Sequence, residues 1–130
     1  MKILIIGAGR IGTSVAESLV SEDNDITVID KNPESISLLQ ARFDLRGIVG
    51  NALSPALLTE ASANDTDLLI AVTSSDETNL ATTLLADKLF NIPTRIARVR
   101  NEELRSYPRI LKEEGFSATT IIWPEQALTR

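Results

Sequence analysis

Two residue types are missing altogether, and each absence removes a class of chemistry. The 130 residues contain no cysteine, which excludes disulfides, thiolate metal sites and cysteine nucleophiles. They contain no histidine either, so the commonest general base and the commonest transition-metal ligand are lacking. Aromatic residues make up 4%, and any core must therefore be aliphatic. No apolar run approaches the roughly 20 residues of a membrane span. The run that opens the chain stops after Ile6 at a glycine, too early for a signal-peptide core. Positive charge is also short, with 13 basic against 18 acidic residues and a net charge of −5. That balance disfavours non-specific nucleic-acid binding and adhesion to anionic lipid, both of which need a basic face.

What is present suits one packed domain, with 43% hydrophobic and 24% charged residues. Ile3 to Ile6 is an unbroken apolar run, the pattern of a strand buried on both faces. From Arg10 to Ser21 the period becomes helical, with Ile11, Val15, Leu19 and Val20 on one face. Asp25 to Ile29 is strand-like again and ends at Asp30. Asn32 and Pro33 open a second helix, on which Ile36, Leu39 and Phe43 form the apolar stripe. Leu45 to Val49 predicts a third strand closed by Gly50. Ser54 and Pro55 start a short helix carrying Leu57, Leu58 and Ala61. Asp67 to Val72 reads as a central strand. Ser74 and Glu77 have capping-box spacing ahead of a helix with Leu80, Leu84, Leu85 and Leu89, broken by Pro93. Thr94 to Val99 is a fifth strand. Asn101 caps a helix that Pro108 kinks or restarts, Gly115 is placed as its C′ residue, and Ala118 to Ile122 gives a sixth strand.

Strand and helix alternate throughout. This predicts an α/β fold, a doubly wound and mostly parallel Rossmann sheet of about six strands with helices on both faces. The domain is expected to span residues 1–123. Residues 124–130 begin a further helix with no terminating cap, the mark of a piece of a longer protein.

The turn GAGRIG follows the first strand and opens the first helix, the context that a G-x-G-x-x-G phosphate site requires. Gly7 permits the tight turn, Gly9 lets backbone approach a pyrophosphate, and Gly12 lets the helix pack near the strand. An anion there meets exposed helix N–H groups and the positive end of the dipole. Asp30 follows at the usual spacing of about 20 residues, placed to accept both hydroxyls of an adenosine ribose and to repel a 2′-phosphate. NAD is thereby favoured over NADP, with Lys31 beside it softening the preference. Arg10 stands within the turn, positioned to pair with a phosphate, to make a subunit contact or to face solvent.

Together, KILIIGAGRIG, EDNDITVID, FDLRGIVGNA, DLLIAVTSSDETN and RIARVR are more specific than the glycine turn, and they run from Met1 to about Pro124. On these segments the chain resembles the RCK/KTN family of regulatory Rossmann domains, specifically the N-terminal domains of TrkA-type regulators of bacterial potassium uptake. The resemblance implies a ligand that regulates rather than reacts, NAD or NADH, with ATP or ADP as the alternative. It places nucleotide contacts on Gly7, Ala8, Gly9, Arg10 and Ile11, on Asp30, on Asn51 and Ala52, on Thr73 and Ser74, and on Arg98. From local pattern, helix capping explains Thr73 and Ser74 equally well, and an interface or surface ion pair explains Arg98. Two positions depart from close relatives. Arg10 stands where close relatives often have glutamine; the related KtrA-type regulators, which resemble ATP and ADP binders, carry arginine there. Asn51 replaces an aspartate or histidine.

The resemblance further implies a homo-oligomer with a dimer as its unit and residues 124–130 as the start of a crossover or dimerisation helix. It implies a TrkH-like membrane potassium-transport subunit as partner, and a cytoplasmic location at the inner face of the membrane without insertion. No metal site and no catalytic residue are expected. The competing reading is the cofactor-binding part of an NAD-dependent oxidoreductase. Against it, Tyr107 is the only phenol, and position 111, where a short-chain dehydrogenase would place its lysine, is leucine. Trp123, Ile122 and Leu128 suit either a dimer interface or the core.

Overall fold

The computed structural model describes residues 1–124. Six strands form one sheet in the order β3-β2-β1-β4-β5-β6, and every pairing is parallel. The strands are β1 (Lys2–Ile6), β2 (Asp25–Asp30), β3 (Arg46–Val49), β4 (Leu68–Ala71), β5 (Thr94–Arg98) and β6 (Thr120–Ile122). Between them lie α1 (Arg10–Val20), α2 (Pro33–Arg42), α3 (Pro55–Glu60), α4 (Asp76–Lys88) and α5 (Pro108–Leu111). The order reverses between β1 and β4, so loops leaving the two strands turn to opposite faces and open a crevice there.

The alternation of β1 builds both layers of the core. Ile3 and Ile5 face one side, packing with Ala16 of α1 and Ile36 and Leu39 of α2. Leu4 and Ile6 face the other, among Leu58 of α3 and Ala86 of α4. Burying each such aliphatic side chain contributes about 1.5–3 kcal/mol, which is why an unbroken apolar run takes the middle of the sheet. A third cluster joins Leu80, Ala97, Val99, Leu111 and Ala118, with Leu104, Phe116, Ile121 and Trp123 against it. Trp123 therefore packs on this core, where its ring carries the Arg105 guanidinium 4.9 Å from the centroid. Ile122 is exposed, and Leu128, with the expected helix after Pro124, lies outside the described residues.

Several boundaries differ from expectation, each for a local reason. The N-cap of α4 is Ser75, whose hydroxyl accepts from Thr78 N–H, one residue later than the expected cap at Ser74. Leu89 is exposed, and the buried face of α4 carries Asn79, Leu80, Thr82, Thr83 and Ala86. Threonine is tolerated there because Thr82 donates to Thr78 C=O and Thr83 to the carbonyls of Leu80 and Phe116. Asn101 does cap a helix, but of the 3-10 type, over Glu102–Ser106, and Pro108 then starts α5 as its first residue. Gly115 is not a left-handed C′ residue. A Cβ there would collide with the Ile110 carbonyl, and the left-handed backbone falls on Ser117 at φ 64°.

Candidate functional site

A cleft of about 530 Å³ opens beyond the carboxyl ends of the strands, across the switch between β1 and β4. Three strand-end aliphatics, Ile6, Ile29 and Val72, line it. Everything else along it is polar, basic or glycine apart from Ile11 and Ala52.

The glycine turn forms one wall. Gly7 has φ +114°, and a Cβ on it would lie 3.1 Å from backbone atoms of Val72 and Thr73, so the β1 and β4 exits touch only because this residue is glycine. Its N–H donates to Ile29 C=O at 2.8 Å, which ties the turn to β2 as well. Gly9 is the N-cap of α1 and offers no side-chain cap. The first-turn N–H groups of an 11-residue helix thus lack the usual side-chain oxygen, and nothing lies within 4 Å of where a Gly9 Cβ would stand. An uncapped helix start facing open space is a ready anion site.

Asp30 does not stand free at its strand end. One carboxylate oxygen accepts from Ala8 N–H at 2.7 Å and the other from Asn32 N–H at 2.8 Å. The side chain fastens the glycine turn to the start of α2. Each oxygen keeps a second lone pair for a ribose hydroxyl.

Thr73 differs from expectation. Its N–H donates to Asn79 Oδ1 at 2.9 Å, and its single hydroxyl hydrogen is shared between that same oxygen at 2.7 Å and Ser75 C=O at 3.1 Å, while the hydroxyl oxygen accepts from Ser75 N–H. Both of its donors are committed to α4 and to its own loop, so Thr73 shapes the wall rather than offering a hydrogen. Ser74 is exposed. Asn51 folds its Oδ1 back onto Leu53 N–H at 3.0 Å, leaving its amide NH2 as the free donor, with Ala52 buried beside it.

Of the positions anticipated from sequence, Gly7, Gly9, Arg10, Ile11, Asp30 and Lys31 line the cleft, as do Asn51, Ala52, Thr73, Ser74 and Arg98. Ala8 and Gly12 stand behind the wall: Ala8 through its bond to Asp30, Gly12 where α1 crosses the Gly7 carbonyl. Arg100 was not anticipated. It lines the cleft two residues after Arg98, and the period of two along an extended segment is the signal that would have found it. Arg98 and Arg100 donate to the carbonyls of Thr73 and Ser74 at 3.4 and 3.3 Å, so both guanidinium groups lie over the β4–α4 loop. Arg10 is exposed and joins none of the ion pairs among the described residues.

The cleft therefore gathers Arg10, Lys31, Arg98 and Arg100 around one carboxylate, Asp30, in a chain whose net charge is −5. Such local reversal of sign focuses potential on an anionic ligand. Among the described residues there is no cluster of carboxylates that would hold a metal and no helix long and apolar enough to cross a membrane. Tyr107 is exposed and is not among the residues lining this cleft.

The sequence matches the TrkA-N domain family over residues 3–124. It is 47% identical over 130 residues to the Trk system potassium uptake protein TrkA of Haemophilus influenzae, a match covering 99% of this chain and 28% of that protein. The chain thus spans little more than a quarter of this relative's length. Among solved structures it is similar to the TrkA-N domain of the inner membrane protein ybaL from Escherichia coli, with TM-score 0.81 and 20% identity over 94% of this chain and 86% of that one. It also resembles the GsuK channel bound to NAD, with TM-score 0.76 and 20% identity over 93% of this chain and 21% of that one.

Proposed function

The chain belongs to the TrkA-N domain family, and from that premise we propose that it is the nucleotide-sensing domain of a potassium-uptake regulator. The cleft takes NAD or NADH, or ATP or ADP in its place, and occupancy controls a membrane potassium-transport subunit instead of driving a reaction. One observation carries this reading: an uncapped helix N-terminus, an adenosine-side carboxylate and four basic side chains converge on one cleft. In this assignment the adenosine lies on the Asp30 side with its ribose hydroxyls on the carboxylate. The phosphates lie on the first turn of α1 beside Arg10. Whatever extends further lies toward Arg98 and Arg100. The contacts are then Gly7, Gly9, Arg10, Ile11, Asp30, Lys31, Asn51, Ala52, Ser74 and Arg98, with Ala8, Gly12 and Thr73 holding the walls.

Support for a regulatory role comes from the family. The 47% relative is a Trk system potassium uptake protein, and GsuK is a channel whose structure is bound to NAD. The domain works at the inner face of the membrane, in a homo-oligomer built on dimers, beside a TrkH-like subunit. The oxidoreductase reading draws no support from the cleft, whose one carboxylate already holds two backbone N–H groups and whose lining excludes Tyr107.

A ligand shifts a regulator only by binding its two arrangements unequally. Potassium flux through the partner, reconstituted in vesicles with the full-length regulator carrying this domain, is therefore expected to change at least fivefold between saturating NADH and no nucleotide, or between ATP and ADP. Flux indifferent to all four nucleotides would remove the regulatory proposal.

A further inference from the structure

Asn79 stands one turn into α4 and is fully buried, at 0% exposure, on the face that also carries Leu80, Thr82, Thr83 and Ala86. Its amide is satisfied on every side. Oδ1 accepts from Thr73 N–H at 2.9 Å and from Thr73 Oγ1 at 2.7 Å. Nδ2 donates to Thr73 C=O at 3.0 Å and to Arg98 C=O at 2.9 Å. None of these partners belongs to α4. The helix does not need them, since Ser75 already caps it. All four contacts lie instead on the two segments that leave β4 and β5 at the rim of the cleft.

Asp76, three residues earlier on the same helix, acts on the next stretch of chain. One of its oxygens accepts from Arg100 N–H at 2.8 Å and the other from Asn101 N–H at 2.9 Å. The first turn of α4 thus holds the backbone of Thr73, Arg98, Arg100 and Asn101. A buried primary amide with four bonds to two different segments has one low-energy arrangement, because releasing either segment strands a donor or acceptor away from water.

We propose that Asn79 is a positioning residue for the distal half of the cleft. With Asp76, it fixes where Arg98 and Arg100 meet the part of a ligand beyond its adenosine monophosphate portion, and so sets the preference for long nucleotides over short ones. The inference rests on the nucleotide-binding reading and deepens it. The near half has anchors of its own: Gly7 is tied to β2, and Asp30 holds Ala8 and Asn32. It meets the segment that Asn79 holds only where Gly7 lies against Val72 and Thr73, so a ligand confined to that half is expected to sense Asn79 far less.

The test is calorimetric titration of AMP and of NADH into the chain and its Asn79→Ala variant, with thermal melts of both proteins. NADH affinity is expected to fall tenfold or more, while AMP affinity stays within twofold. A structural role alone would lower the melting temperature and move both affinities together, and equal losses for AMP and NADH would overturn the proposal. So would unchanged NADH affinity in a folded variant. Should Asn79→Ala not fold, Asp76→Ala reads the same split from a half-buried carboxylate, with NADH weakened threefold or more and AMP unchanged; equal effects there overturn the proposal as well. A parent chain that binds neither ligand would instead sink the nucleotide reading itself, and the inference with it.

Discussion

Gly9→Val is expected to fold as the parent chain does and to lose at least a hundredfold in affinity for adenine nucleotides. The two halves of that expectation have separate causes. Gly9 has φ −79° and ψ −160°, extended backbone open to any L-residue. Its Cβ would meet nothing within 4 Å. Neither strain nor clash opposes the substitution, and the stability change should stay within about 1 kcal/mol, the scale of an altered N-cap. The space that the isopropyl group enters, however, is the space a phosphate must occupy to reach the first-turn N–H groups of α1. A hundredfold loss corresponds to about 2.7 kcal/mol, comparable to displacing one or two hydrogen bonds to a charged group. Thermal melts and nucleotide titration of the same sample check both halves. Unimpaired binding would place the phosphates elsewhere.

Gly12→Ala, three residues on, is expected to do the opposite and act on the fold. Helix propensity alone would predict a gain of about 1 kcal/mol for glycine to alanine in a helix interior. Here the added Cβ runs into the carbonyl oxygen and carbon of Gly7, with Val72 behind. That carbonyl cannot retreat, because Gly7 N–H is bonded to β2 and Gly7 itself lies against the β4 exit. Relief requires α1 to move off the sheet, uncovering Ala16, Ile5 and Val28. Overpacking of this kind costs typically 1–3 kcal/mol, more where backbone meets backbone. A net loss of about 3 kcal/mol is expected, seen as a fall in melting temperature of about 10 °C. A melting temperature equal to or above that of the parent would mean that the close helix–strand approach is not what holds this corner.

The contrast between these glycines shows where sequence reasoning was sufficient. Strand, turn and helix around GAGRIG follow from local pattern: an apolar run, a change of period and glycines at fixed offsets. A parallel, doubly wound sheet follows from the alternation of elements and the handedness of parallel crossovers; its order is a matter of tertiary packing. Those signals placed β1, the turn and the start of α1 where the structure has them.

What the sequence hid are contacts made across the chain. TSSDET offers two serines as caps, and the choice falls on Ser75 because Thr73, bound by Asn79, turns back to Ser75 N–H and C=O. The donors of Thr73 look available in one dimension and are occupied in three. Asp30 reads as a ribose ligand by spacing, yet its bond to Ala8 spans 22 residues. By pattern Asn79 reads only as a weak helix former; its partners in two other segments give it meaning. Gly115 is required by an approach to Ile110, a reason that composition does not distinguish from a left-handed turn.

Adenine-nucleotide binding through the uncapped start of α1 is the property on which the proposed function rests. Calorimetric titration of NAD, NADH, ATP and ADP into the chain tests it most directly, with Gly9→Val as the control that retains the fold. Saturable one-to-one binding of at least one of the four to the parent, weakened at least a hundredfold in the variant, is the predicted result. No heat with any of them, or equal binding by parent and variant, would contradict it.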